Sequence, residues 1–123
     1  MSTATTPTGV IDVAAVTHAI ESRNAGAQLA ASAPDAVVTV VDHEHPPSRP
    51  LVVQGTSELR AYLAGVCDRD MRHEVRNAVV AGDRLTVEVA CSYPDGTNVL
   101  CLSISGLDSD RIAWQRVVQA WDS

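Results

Sequence analysis

From Met71 to Trp121, apolar and polar positions alternate in four successive runs. Three short polar breaks separate them, at Ala81-Gly82-Asp83, Asp95-Gly96 and Leu107-Asp108-Ser109-Asp110. Alternation with a period of two marks a half-buried strand, so this half of the chain predicts a four-stranded antiparallel meander. On the strand from Arg84 to Tyr93, Leu85, Val87, Val89, Cys91 and Tyr93 share the core face, with Thr86, Glu88, Ala90 and Ser92 behind. A two-residue loop at Asp95-Gly96 pairs Pro94 with Thr97. That register carries the core face onto Leu100, Leu102 and Ile104 and sets Cys91 and Cys101 on opposite faces. On the preceding strand, a three-residue loop with Gly82 left-handed places Val79 opposite Leu85, so Met71, His73, Val75, Asn77 and Val79 face inward. A turn centred on Ser109-Asp110 pairs Ile104 with Gln115 and turns Gln115, Val117, Gln119 and Trp121 inward. A one-residue slip would instead send Trp114 and Val118 inward.

The front half predicts helices and one strand. Asp12 is a candidate N-cap for a helix running to about Asn24, broken at Gly26; a short helix over Ala27–Ala33 ends at Pro34. The β-branched run 36–41 predicts a strand. Asp42 to Pro50 reads as a loop, since three prolines in five residues exclude regular structure. Leu51–Gln54 adds a short extended piece. A helix opening at Gly55 then carries Leu59, Tyr62, Leu63 and Val66 in one stripe.

This pairing gives the inward face an apolar row (Val75, Val89, Leu102, Val117), a second row (His73, Cys91, Leu100, Gln119) and a rim (Met71, Tyr93, Asn98, Trp121). A polar group on a core face costs about 1–3 kcal/mol unless hydrogen-bonded. His73 and Gln119 therefore need partners, water or a ligand, and they suggest a cavity there.

Composition narrows the class. A chain of 123 residues, 46% hydrophobic and 20% charged, fits one globular domain, read here as residues 10–123 behind a small polar tail at 1–9. The tail lacks the basic and apolar regions of a signal peptide, and no apolar run approaches the ~18 residues of a membrane span. A net charge of −6 argues against a nucleic-acid partner. Three thiols that cannot pair suit a reducing compartment, so a cytoplasmic location is expected.

Among candidate chemistries, His73 stands out as an imidazole on the pocket face near Cys91, Tyr93 and Gln119, suited to acid–base work near neutral pH. A lone inward histidine is also often just a hydrogen-bonded core residue. Asp42 could orient His73 or act as a base at the mouth; a carboxylate at a strand end is also a common solvated cap. Tyr62 and Tyr93 could donate to a ligand oxygen. Cys91 reads as a small core residue, with no basic helix terminus to activate it. In Asp42-His43-Glu44-His45 the two histidines share a face as metal ligands would, but the segment runs into Pro46-Pro47 and leaves the sheet. It reads as a rim loop, and neither a metal nor a cofactor is expected.

Several segments resemble the nuclear transport factor 2-like superfamily, and within it the SnoaL-like (polyketide-cyclase-like) proteins. They are Ala33-Pro-Asp-Ala-Val-Val38, Gly55-Thr-Ser-Glu-Leu-Arg-Ala-Tyr-Leu63, Val80-Ala-Gly-Asp-Arg-Leu-Thr-Val87, Asp110-Arg-Ile-Ala-Trp114 and the closing Gln119-Ala-Trp121. The resemblance spans roughly Val10 to Asp122 and implies an α+β cone, a curved sheet wrapped over the amino-terminal helices around a pocket. It also implies a homodimer through the sheet's outer face, here expected to carry Trp114, Arg116, Val118 and Cys101 among others. The carboxylate base of the ketosteroid-isomerase branch falls at Val40, and its proton-donating acid at Leu102. The expectation is thus a pocket for a small organic molecule, lined by Tyr62, Cys91, Tyr93, Leu100, Leu102, Gln119 and Trp121. Isomerisation, cyclisation or dehydration at His73, assisted by Asp42, Tyr93 and Gln119, is the catalytic reading. The alternative is a non-catalytic binding or dimerisation module whose own side chains fill the pocket. A fold alone does not choose between them.

Overall fold

The computed structural model describes residues 11–122; the expected tail at 1–9 lies outside them. Two short helices, α1 (Val13–Glu21) and α2 (Ala25–Ala30), lead into β1 (Ser32–Val41). After the loop at 42–50 come β2 (Leu51–Gln54), α3 (Gly55–Cys67), β3 (Arg72–Ala81), β4 (Arg84–Ser92), β5 (Asn98–Asp108) and β6 (Arg111–Trp121). The six strands form one curved, unclosed sheet in the order β2-β1-β6-β5-β4-β3, with β1 and β6 the only parallel pair. The helices lie on its concave side, which makes the α+β cone.

Local chemistry sets the element ends. Asp12 caps α1 by accepting from the Ala15 amide, as its position suggested. The helix stops at Glu21 rather than near Asn24, because Asn24 caps α2 instead, accepting from the Ala27 amide at 2.9 Å. Gly26 therefore lies inside α2 and breaks nothing.

Three register features decide which side chains face inward, and two of them correct the sequence reading. Between β4 and β5 the loop is Pro94-Asp95-Gly96, not Asp95-Gly96. The Gly96 amide donates to the Tyr93 carbonyl at 3.0 Å, the Tyr93 amide to the Thr97 carbonyl at 2.9 Å, and Gly96 has φ +93°. Proline's fixed φ suits the first central position of a type I turn, and glycine then takes the left-handed residue of the three-residue hairpin. Ser92 accordingly pairs with Asn98, one residue off the expected register. A one-residue slip inverts a strand. Val99, Cys101 and Ser103 face inward, while Leu100, Leu102 and Ile104 lie on the outer face at 37%, 51% and 51% exposure. Leu100 and Leu102 are thus not pocket residues, Cys101 is not on the outer face, and Cys91 and Cys101 share one side.

Between β3 and β4 the loop is the two-residue Gly82-Asp83, with Gly82 at φ +58°, and Val80 rather than Val79 pairs with Leu85. A bulge at Arg76 then restores Val75 opposite Val89 and His73 opposite Cys91, as expected. Val79 and Asn77 point outward, and the Asn77 amide donates to Glu88. Between β5 and β6 the turn is at Ser109-Asp110 as predicted, but a bulge at Ala113 shifts the pairing to Ser105 with Gln115. That shift cancels the β5 slip. Gln115, Val117 and Gln119 face inward, and Trp114 outward, in agreement with the sequence reading.

The core forms two clusters. One gathers Ile11, Met71, Leu85, Val87, Val89, Cys91, Val99 and Ile112; the other gathers Ala36, Val38, Val40, Val53 and Leu59 under α3. On the convex side, Gly106 leaves room for the Trp114 ring, since a Cβ there would overlap it. The ring lies between the guanidinium groups of Arg84 and Arg116, 5.1 and 5.2 Å from its centre.

Candidate active site in the cone

Between helices and sheet lie two adjoining cavities of about 340 and 120 Å³, which share Ile20, Gln28, Tyr62, Leu63 and Gln115 on their walls. The larger is mostly apolar and sits under α1 and α2. The smaller reaches toward Trp121, and the polar side chains on its wall include Tyr62, Arg69, His73, Cys91, Cys101 and Gln119.

His73 projects into it from β3. Among the described residues, its Nε2 is the one buried side-chain nitrogen or oxygen without a hydrogen-bond partner. Burial, then the Arg23 and Arg69 guanidinium groups, hold its pKa below the ordinary 6.5. The imidazole is therefore neutral at pH 7 and free to accept a proton. Tyr62, on the inward stripe of α3, is pushed up to about 12 by burial and then by Cys101, so it stays a hydroxyl donor. Gln119 is oriented by its neighbour, its Oε1 accepting from the Trp121 indole N–H at 3.0 Å.

The mouth is framed by the 42–50 loop. Asp42 accepts from His45 Nδ1 at 2.8 Å and from the amides of Glu44 and His45. Burial opposes the charge, but those bonds outweigh it and hold the carboxyl below 3.8. Asp42 thus fastens its own loop, makes no hydrogen bond to His73 and lies outside both cavity linings, so it does not orient His73 as the sequence suggested; its charge adds to the burial that raises Tyr62. With the loop so tied, His43 stacks on Trp121 at 4.1 Å, and Trp121 lies 6.1 Å from Tyr93. Tyr93 stands at this rim and lines a separate surface cleft with Arg23 and Arg72. No group of three or more potential metal ligands forms among the described residues, and no helix there is long and apolar enough to cross a membrane.

Arg69 was missed by the sequence reading. It follows α3 in Asp68-Arg69-Asp70, a segment to which the sequence reading assigned no role; Arg23 donates to its carbonyl and its side chain lines the cavity. The two carboxylate positions implied by the resemblance hold Val40, buried at 1%, and the outward Leu102.

The shift at His73 has a stability consequence. The folded pKa lies below the unfolded one, so between the two the unfolded chain binds more protons. Stability therefore falls as pH drops from about 6.5 toward the folded value. Unfolding midpoints of wild type and His73→Gln across pH 7.5–5 should diverge, with the wild type losing more; parallel curves would refute the assignment.

Comparison with known proteins agrees with this architecture. Residues 13–120 match the SnoaL-like domain. Curated protein sequences give no match. Among solved structures, IdmH from Streptomyces antibioticus, a proposed polyketide cyclase, superposes with a TM-score of 0.63 at 21% identity, over 87% of this chain and 88% of that one. A nuclear transport factor 2-like protein of unknown function from Burkholderia xenovorans gives 0.70 at 18% identity, over 89% and 79%. A proposed ketosteroid isomerase from Kribbella flavida gives 0.65 at 16%, over 89% and 74%. With its matching segment spanning nearly every described residue, the chain belongs to the SnoaL-like domain family.

Proposed function

We propose that the cone binds a small, largely apolar carbonyl compound and moves a proton on it, with His73 as the base. The observation that carries this is the unpartnered His73 Nε2 on the cavity wall. A self-filled structural module would cap that nitrogen internally. A neutral imidazole takes the proton next to the carbonyl, Arg69 stabilises the enolate charge, and Tyr62 donates to oxygen. The apolar neighbouring cavity takes the rest of the molecule. Polyketide cyclase and ketosteroid isomerase, the activities proposed for two fold neighbours, both name carbonyl compounds as substrates.

The test needs no prior substrate. Exchange of the protons beside the carbonyl into D2O is followed by NMR for a set of cyclic and open-chain ketones. General base catalysis contributes roughly 10²–10⁴-fold, and His73→Gln should remove that much of the protein-dependent rate while the far-ultraviolet spectrum stays unchanged. No protein-dependent exchange with any ketone, or an undiminished rate in the variant, would sink the reading.

The outer face supports a second proposal, that two copies pack sheet to sheet. Among the described residues, the six exposed large hydrophobics, Val52, Val79, Leu100, Leu102, Ile104 and Val118, all lie on it, and Trp114 and Arg116 flank them. Cys101 takes no part, since it faces the cavity.

A further inference from the structure

The corrected register of β5 brings two thiols together. Cys91 pairs with Val99 and Cys101 with Val89, so the two cysteines stand diagonally on adjacent strands with both side chains on the cavity side. His73 is directly opposite Cys91 on the next strand. Arg69 lines the same cavity. Diagonal positions lie about 7–8 Å apart at Cα, beyond the roughly 4.4–6.8 Å that a disulfide usually spans. The arrangement suits two neighbouring thiols more than a bridge, and both sulfurs are free.

The neighbouring Cys101 thiol holds Cys91 below its ordinary 9.0 against the opposing effect of burial, with Arg69 adding to the lowering. The same neighbour effect, with burial, raises Cys101. Cys91 thus shares its wall with a second thiol and a cation and has an imidazole opposite it on the next strand, surroundings that make a thiol reactive.

We propose that Cys91 is a nucleophile, and that the cavity captures small α,β-unsaturated carbonyl compounds by reversible addition of its sulfur to the β-carbon. His73, on the next strand, takes the thiol proton at Nε2 as the carbonyl compound binds; beforehand that nitrogen makes no hydrogen bond to the thiol. The sulfur–carbon bond forms, the alkene pair moves to the carbonyl oxygen, and the resulting enolate faces Arg69. The imidazole then returns the proton to the α-carbon. The net change is addition of S–H across the double bond, and elimination reverses it. This reading shares the cavity with the proposed proton transfer but does not require it.

Methyl vinyl ketone, added below stoichiometry to the wild-type protein, tests it by intact mass and peptide mapping, with butanone as the saturated control. The three cysteines are ranked by initial rate. Cys91 is 6% exposed, whereas Cys67 and Cys101 are more accessible. Accessibility alone therefore places Cys91 last. The proposal places it first, at least tenfold ahead of Cys67, whose thiol burial pushes up, and the adduct should decay after the ketone is removed. Cys101→Ala should slow the Cys91 reaction. Mapping needs no variant, so a misfolded substitution cannot obscure the answer. Earlier labelling of Cys67 or Cys101, or no adduct on Cys91, overturns the proposal. A protein that forms the adduct yet exchanges no ketone protons would refute only the earlier reading.

Discussion

Glutamate placed at both Leu102 and Ile104 should abolish the proposed sheet-to-sheet pairing of two copies. Each side chain is half exposed on the outer face, and covering it would contribute on the order of 1 kcal/mol. A two-fold interface contains each position twice. The double variant would therefore lose four apolar contacts and bring four carboxylates toward one another. The few hot-spot residues near the centre of an interface cost about 2 kcal/mol or more when truncated, and unpaired charges add to that. A weakening of the dimer by at least 10³-fold is expected. Sedimentation or light scattering over a concentration series checks it, with the cavity-facing Cys101→Ser as the control. If wild type is a monomer at every concentration, or the double variant associates as before, two copies do not meet on this face.

Leu85→Ala is expected to have the largest effect on stability. Leu85 is 1% exposed at the closed end of the first core cluster, and a buried leucine truncated to alanine costs about 2–5 kcal/mol. The same measurement reads the register of β5. Val99, 3% exposed, and Leu100, 37% exposed, are consecutive residues on opposite faces. Val99→Ala should cost clearly more than Leu100→Ala in denaturant unfolding of the monomeric background. The reverse order would mean that the hairpin closes as Asp95-Gly96 and that Leu100 is inside after all.

That hairpin also shows where the sequence was readable and where it was not. Alternation located four strands and their turns, and it brought His73 opposite Cys91 and turned Gln119 inward. It could not by itself choose between two loop lengths that both end on Gly96. Asp-Gly favours a two-residue loop, while Pro94 favours a type I turn one residue earlier, and the proline prevailed because its ring already holds the required φ. Strand inversion then followed for every residue of β5, which is why Leu100 and Leu102 changed sides together and the thiol pair was invisible. The bulges at Arg76 and Ala113 left no local signal of their own. Arg69 was hidden for another reason: its role depends on a loop packing against Arg23, a contact 46 residues away in sequence.

The chain carries two tryptophans, and the fold has put one on the outer face of the sheet and one at the mouth of the cavity. Trp114 lies on the convex side between two cations, while Trp121 closes the mouth against His43. Indole emission follows the polarity and charge of its immediate surroundings. The protein therefore has separate built-in optical reporters. With Trp121→Phe the remaining signal follows what covers the sheet, and with Trp114→Phe it follows what passes into the cone.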